Sequence, residues 1–128
     1  MHDHEEYQGP SDESGIAIVG MSCRFPGATS IHQYWQNLMN GVESVHVETD
    51  ADGQIRARAE LSGIEDFDYG FFGFNYKEAQ LLDPQHRVLL ECAWEVLEDA
   101  SFHAQTGSVG VFCGAGTSSY FINNVYGL

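Results

Sequence analysis

Three cysteines, Cys23, Cys92 and Cys113, and six histidines, at positions 2, 4, 32, 46, 86 and 103, are the side chains of this sequence best suited to covalent or metal chemistry. The sharpest arrangement is residues 113–119, CGAGTSS. A cysteine at a strand end, followed by small residues, could be a nucleophile above a helix N-terminus, where the dipole would lower its pKa. No His–Asp pair at an informative spacing supports that role. Cys113 therefore reads as a buried strand cysteine that packs as a small hydrophobe. Cys23 sits in a loop beside Arg24, which could stabilise a thiolate, yet the loop reads as buried and structural. Cys92 lies mid-helix between Leu89 and Val96 and reads as core. Three widely and irregularly spaced cysteines give no disulfide framework and no zinc site, so reduced thiols in a cytoplasm are expected. The histidines make no H-E-x-x-H or other ligand spacing. His86 is the best single candidate for a role, although a surface histidine is the simpler reading. His2 and His4 could hold a metal together, but they stand in a segment that reads as a tail.

The elements that must position these residues follow from hydrophobic pattern and capping signals. Residues 1–14 are polar and acidic, a flexible leader, and residues 15–128 are one domain. Residues 16–20, IAIVG, and 109–114, VGVFCG, are apolar runs rich in β-branched residues, suited to strands buried on both faces of a parallel sheet. Helical segments separate them, which predicts a parallel pair with a right-handed crossover. Ser30 with Gln33 forms a capping box for a helix whose apolar face is Ile31, Tyr34, Trp35, Leu38 and Met39, and Gly41 is its stop. Ile55, Ala57, Ala59 and Leu61 alternate as in a short edge strand. The block Phe67, Tyr69, Phe71, Phe72, Phe74 and Tyr76 is dense enough in aromatics to require burial in this chain or against a partner. Asn75 and Glu78 resemble a capping pair for a short helix. Asp83 as N-cap and Pro84 at the first helical position start a long one, with Leu89, Ala93, Val96, Leu97 and Ala100 on its buried face. Arg87 and Glu91, four apart, can pair on its surface.

Composition excludes several classes. Nineteen acidic residues against five basic ones give a net charge of −14, a poor surface for nucleic acid. No D-x-D-x-D-G loop with a closing Glu is present for calcium. No segment approaches the roughly 18 continuous apolar residues of a membrane span, and the N-terminus lacks an apolar signal core. The glycines around residue 20 match no nucleotide-binding loop. Taken alone, the residues describe an α/β domain without a recognisable active site.

Four segments carry more: IAIVGMSCRFPGA at 16–28, YWQNLMNGVESV at 34–45, FDYGFFGFNYKEAQLLDPQHRVLLECAWEVLEDA at 67–100 and GVFCGAGTSSYFINNVYG at 110–127. In this order and at these separations they resemble the N-terminal part of the ketosynthase (β-ketoacyl synthase) domain of modular, type I polyketide synthases. The resemblance implies an α/β, thiolase-like fold, here incomplete, whose N-terminal part has two parallel core strands and packed helices, and which usually forms a homodimer. It implies decarboxylative Claisen condensation, in which an acyl chain passes from the phosphopantetheine arm of a carrier protein to a cysteine, with no cofactor bound. In the family the nucleophile lies in a T-A-C-S-S type motif and two histidines follow it. No such motif occurs here, and Cys113 matches a strand position instead. The resemblance thus implies that the nucleophilic cysteine and both histidines lie beyond Leu128. No catalytic, cofactor-binding or metal residue is assigned within the chain, which by itself is expected to be inactive. The implied partners are an acyl carrier protein and the rest of a multidomain synthase. The alternatives are a ketosynthase-like interaction module that binds a carrier or a synthase neighbour, and a truncation of gene or clone with no function of its own.

Overall fold

The computed structural model describes residues 15–102 and 108–126. The leader, with His2 and His4, and also His103, lie outside the described residues. The elements in order are α1 (Ile31–Met39), β1 (His46–Thr49), β2 (Ile55–Arg58), α2 (Tyr76–Leu81), α3 (Pro84–Asp99) and a π-helical turn at Phe121–Val125.

The helices begin where their caps dictate. At α1, Ser30 Oγ accepts from Gln33 N–H at 3.2 Å. The Gln33 side chain accepts from Thr29 N–H at 3.1 Å, one residue earlier than a capping box requires. Asn75 and Glu78 close a full capping box on α2, at 3.0 and 2.8 Å. At α3, the Asp83 carboxylate accepts from Gln85 N–H at 2.8 Å, with Pro84 in the first turn. Two helices end in the same way. After α1, Gly41 takes φ 63° and bonds Leu38 O at 3.2 Å, while Val42 bonds Asn37 O at 2.9 Å. After α3, Ser101 takes φ 49° and bonds Glu98 O, and Phe102 bonds Leu97 O, each at 2.9 Å. Both are Schellman endings, and the second holds a serine in the left-handed region that glycine occupies more readily.

Among the described residues the sheet is an antiparallel hairpin, β1 with β2, paired from His46 with Arg58 to Thr49 with Ile55. Asp50 shapes its turn, accepting from Asp52 N–H at 3.1 Å and Gln54 N–H at 2.9 Å, with Gly53 at φ 78°. The alternation at Ile55 marks β2, while β1 was not expected.

The expected parallel core strands are not formed. Residues 16–20 and 109–114 have no strand pairing, and their apolar side chains stand in solvent, with Ile16 97% and Phe112 98% exposed. A run of this kind becomes a strand by pairing on its edges and being covered on its faces, and no described segment supplies either. The same holds for the apolar face of α1, where Trp35, Leu38 and Met39 are exposed. Aromatic packing is partial. Phe67 stacks on Phe72 at 5.2 Å, and Phe71 meets Trp94 of α3 edge-on at 4.7 Å. Phe67, Phe72 and Phe74 are half-buried, whereas Tyr69, Phe71 and Tyr76 are exposed, so the expected burial holds for half of the block. The buried positions among the described residues are Ala28, Ala79 and Asp83.

Candidate functional site

Helix α3 is the element on which the candidate residues converge, and two polar clusters fasten the chain to it. The first holds residues 20–24. A Cβ on Gly20 would lie 2.6 Å from Val96 O and 2.9 Å from Ala100 N, so this close approach needs glycine. Met21 N–H then donates to Asp99 Oδ2 at 3.0 Å, and Ser22 Oγ donates to Glu95 Oε2 at 2.6 Å. Arg24 forks onto Glu95, with Nη1 to Oε2 at 2.8 Å and Nη2 to Oε1. The guanidinium holds the Glu95 carboxyl down to about 2, helped by Ser22, and Glu95 in turn raises the Arg24 pKa. Arg24 does not make a thiolate of Cys23. Burial pushes that thiol up, and Cys92 pushes it further, against the smaller opposing effect of Arg24. The structural reading of Cys23 is the one the geometry favours.

The second cluster is at the start of α3. Asp83 is buried, and besides capping the helix it accepts from Ser118 Oγ. The Ser118 hydroxyl holds its carboxyl below the usual range, helped by the Gln85 N–H. Ser118 Oγ also accepts from Phe121 N–H at 2.9 Å, which starts the π-helical turn. Next to it, the Tyr120 hydroxyl donates to Gln80 O and accepts from Arg87 Nη2 at 3.4 Å. The Arg87 guanidinium lies 5.8 Å from the centre of the Tyr120 ring, and its Nε donates to Leu82 O at 3.0 Å. The expected Arg87–Glu91 pair is therefore replaced, because Arg87 is drawn toward the α2–α3 junction. Burial raises the carboxyl pKa of Glu91.

Between the clusters lies an open groove of about 790 Å³, lined by Leu61, Ile64, Val88, Leu89, Cys92 and Ala115 among others. His86 lines it from the first turn of α3 and is exposed, as the sequence suggests. Cys92 is half-buried rather than full core. Cys113 is exposed, which corrects its reading as a buried strand thiol; the strand that would cover it is not formed. The groove can hold an apolar group. The sequence reading missed both Glu95 as the anchor of Arg24 and Ser118 as the partner of Asp83. The ion pair spans 71 positions and the hydroxyl contact 35, and neither has a local signature. Among the described residues no group of three or more His, Cys, Asp or Glu could hold a metal ion. None of the described helices is long and apolar enough to cross a membrane.

Known proteins are similar to this chain in sequence and in fold. Residues 13–127 match the family described as "Beta-ketoacyl synthase, N-terminal domain". The chain is 42% identical over 129 residues to a component of the phenolphthiocerol/phthiocerol polyketide synthase of Mycobacterium tuberculosis, covering 88% of this chain and 9% of that protein. The solved ketosynthase from module 6 of the bacillaene synthase of Bacillus subtilis matches with a TM-score of 0.61 and 40% identity, over 70% of this chain and 16% of that one. The ketosynthase from module 1 of the bacillaene synthase of Bacillus amyloliquefaciens matches with a TM-score of 0.58 and 41% identity, over 64% and 15%. The chain thus spans a small part of the length of the proteins it matches, and the part is the beginning of a thiolase-like ketosynthase. With its match running from residue 13 to residue 127, the chain belongs to the β-ketoacyl synthase family, as the N-terminal part of a polyketide synthase ketosynthase domain.

Proposed function

We propose that this chain is the scaffold portion of a ketosynthase and carries no acyl chemistry of its own. The complete domain performs decarboxylative Claisen condensation: an acyl group is transferred from a carrier-bound phosphopantetheine thioester to a cysteine, and a malonyl-type unit loses carbon dioxide and attacks it. The observation that carries this reading is the family match over residues 13–127 in a sequence without a T-A-C-S-S type motif. The nucleophile, the two histidines and the oxyanion site then belong to the remainder of the domain. What residues 15–126 contribute is α3 and the segments tied to both of its ends. An acyl carrier protein, neighbouring synthase domains, a second copy of the ketosynthase and a cytoplasmic setting are the surroundings this role requires.

The test is intact-mass analysis after incubation with an acyl-pantetheine thioester. The expected result is an unmodified chain. A stoichiometric, hydroxylamine-labile acyl adduct on Cys113 would overturn the proposal.

A further inference from the structure

The last described segment touches the rest of the chain at few points. Of residues 108–126, Ser118, Tyr120 and Val125 are half-buried and the others are exposed. Gly114 and Ala115 nonetheless form part of the wall of the 790 Å³ groove, and Cys92 of α3 lines the same groove. Tyr120 lines a second cavity, of about 650 Å³, and Ile64 and Pro84 line both. The segment thus passes the start of α3 from one cavity to the next, with Gly116 beside Gln85, whose Oε1 would lie 3.9 Å from a Cβ there. Ser118 comes between the two stretches. Its hydroxyl donates to the buried Asp83 carboxylate and accepts from Phe121 N–H at 2.9 Å, and Phe121 O accepts from Tyr126 N–H at 2.8 Å. One hydroxyl therefore joins the carboxylate that caps α3 to the π-helical turn. A hydrogen bond to a buried, ionised acceptor is stronger than a neutral one.

We propose that residues 114–126 are a strap across the start of α3 and that the Ser118–Asp83 hydrogen bond is its latch. While the latch holds, Gly114 and Ala115 close one side of the groove and the turn keeps its first hydrogen bond. When it opens, that wall swings away and the turn frays with it. The Tyr120 hydroxyl, on Gln80 O of α2, is the hinge that keeps the strap attached. Asp83 reaches the strap at Ser118, so its effect on the turn passes through that hydroxyl.

The experiment is residue-resolved amide hydrogen exchange, with N-ethylmaleimide labelling read peptide by peptide, on the 128-residue chain and its Ser118→Ala, Asp83→Ala and doubly substituted forms. In Ser118→Ala the Phe121 and Tyr126 amides are expected to exchange about tenfold faster or more. Cys92 labels faster, while the Glu91 amide and the labelling of Cys23, on the far tether, stay unchanged. Asp83→Ala accelerates the same two amides and adds nothing to them in the Ser118→Ala background. Where Asp83→Ala also loosens α3 through its lost cap, Ser118→Ala decides, because it leaves the Asp83–Gln85 cap in place. Unchanged exchange at Phe121 and Tyr126, or a Cys92 rate that does not rise with them, overturns the strap. Equal acceleration at Glu91 and Cys23 in Ser118→Ala, as general loosening gives, also overturns it.

Discussion

Urea unfolding reads out how much of the chain is folded against itself. The accessible surface is 11,374 Å² for 14.2 kDa. A compact monomer of that mass exposes about 6,800 Å², and its unfolded chain about 20,600 Å². Unfolding this chain therefore exposes about 9,200 Å², where a compact domain of equal length would expose about 13,800 Å². Because the dependence of stability on urea scales with the surface exposed, its slope is expected at about two-thirds of the value for a compact 128-residue domain. Among the described residues, the exposed side chains of Ile16, Ile18, Trp35, Met39, Val111 and Phe112 contribute part of the deficit. The assay is far-ultraviolet circular dichroism against urea, with sedimentation to establish that the species is a monomer. A monomer with the slope of a complete compact domain would refute the reasoning, since these side chains would then have to be buried.

Glu95→Gln removes the charge that Arg24 and Ser22 bind. With its pKa held to about 2, Glu95 contributes stability that is present above the ordinary carboxylate value and lost as pH falls toward 2. Its side chain is 43% exposed, so water screens the pair and roughly 1 kcal/mol is expected; urea midpoints of the two proteins should differ at neutral pH and converge in acid, and a constant difference would contradict this. Gly20→Ala forces a methyl against the backbone of Val96 and Ala100, with an expected cost of about 1–3 kcal/mol. An unchanged urea midpoint for that variant would show that residues 20–24 are not seated on α3. Ser101→Gly relieves a left-handed serine and should raise the stability of α3 by up to about 1 kcal/mol, read as a higher thermal midpoint.

Sequence and structure agree where the interaction is local. Ser30, the Asn75–Glu78 pair and Asp83–Pro84 start helices as read, because a cap is completed within three residues of itself. The Asp-Ala-Asp-Gly turn before β2 was a usable hairpin signal, since Asp50 and Gly53 are the residues such a turn needs, and with it β1 could have been anticipated. Contacts across the chain were not legible. Nothing near Glu95 names Arg24 as its partner, and Asp83 looks complete as a cap before Ser118 is placed on it. The two apolar runs are a different case. Their composition marks them as strand-forming, but a ladder depends on what lies beside it, and β propensity carries no information about a neighbour's presence. The family resemblance supplied what local physics did not, because four spaced motifs together identify the ketosynthase beginning.

The central claim is that capped helices and their tethers form in this chain while the strand-type runs at 16–20 and 109–114 stay unpaired. Residue-resolved amide hydrogen exchange on the 128-residue chain tests it most directly. The account predicts protected amides through the middle of α3 and exchange at unstructured rates for Ile18, Val19, Val111 and Phe112. Strong protection of those four amides in a monomer would mean that the two runs form a ladder here, and would contradict it.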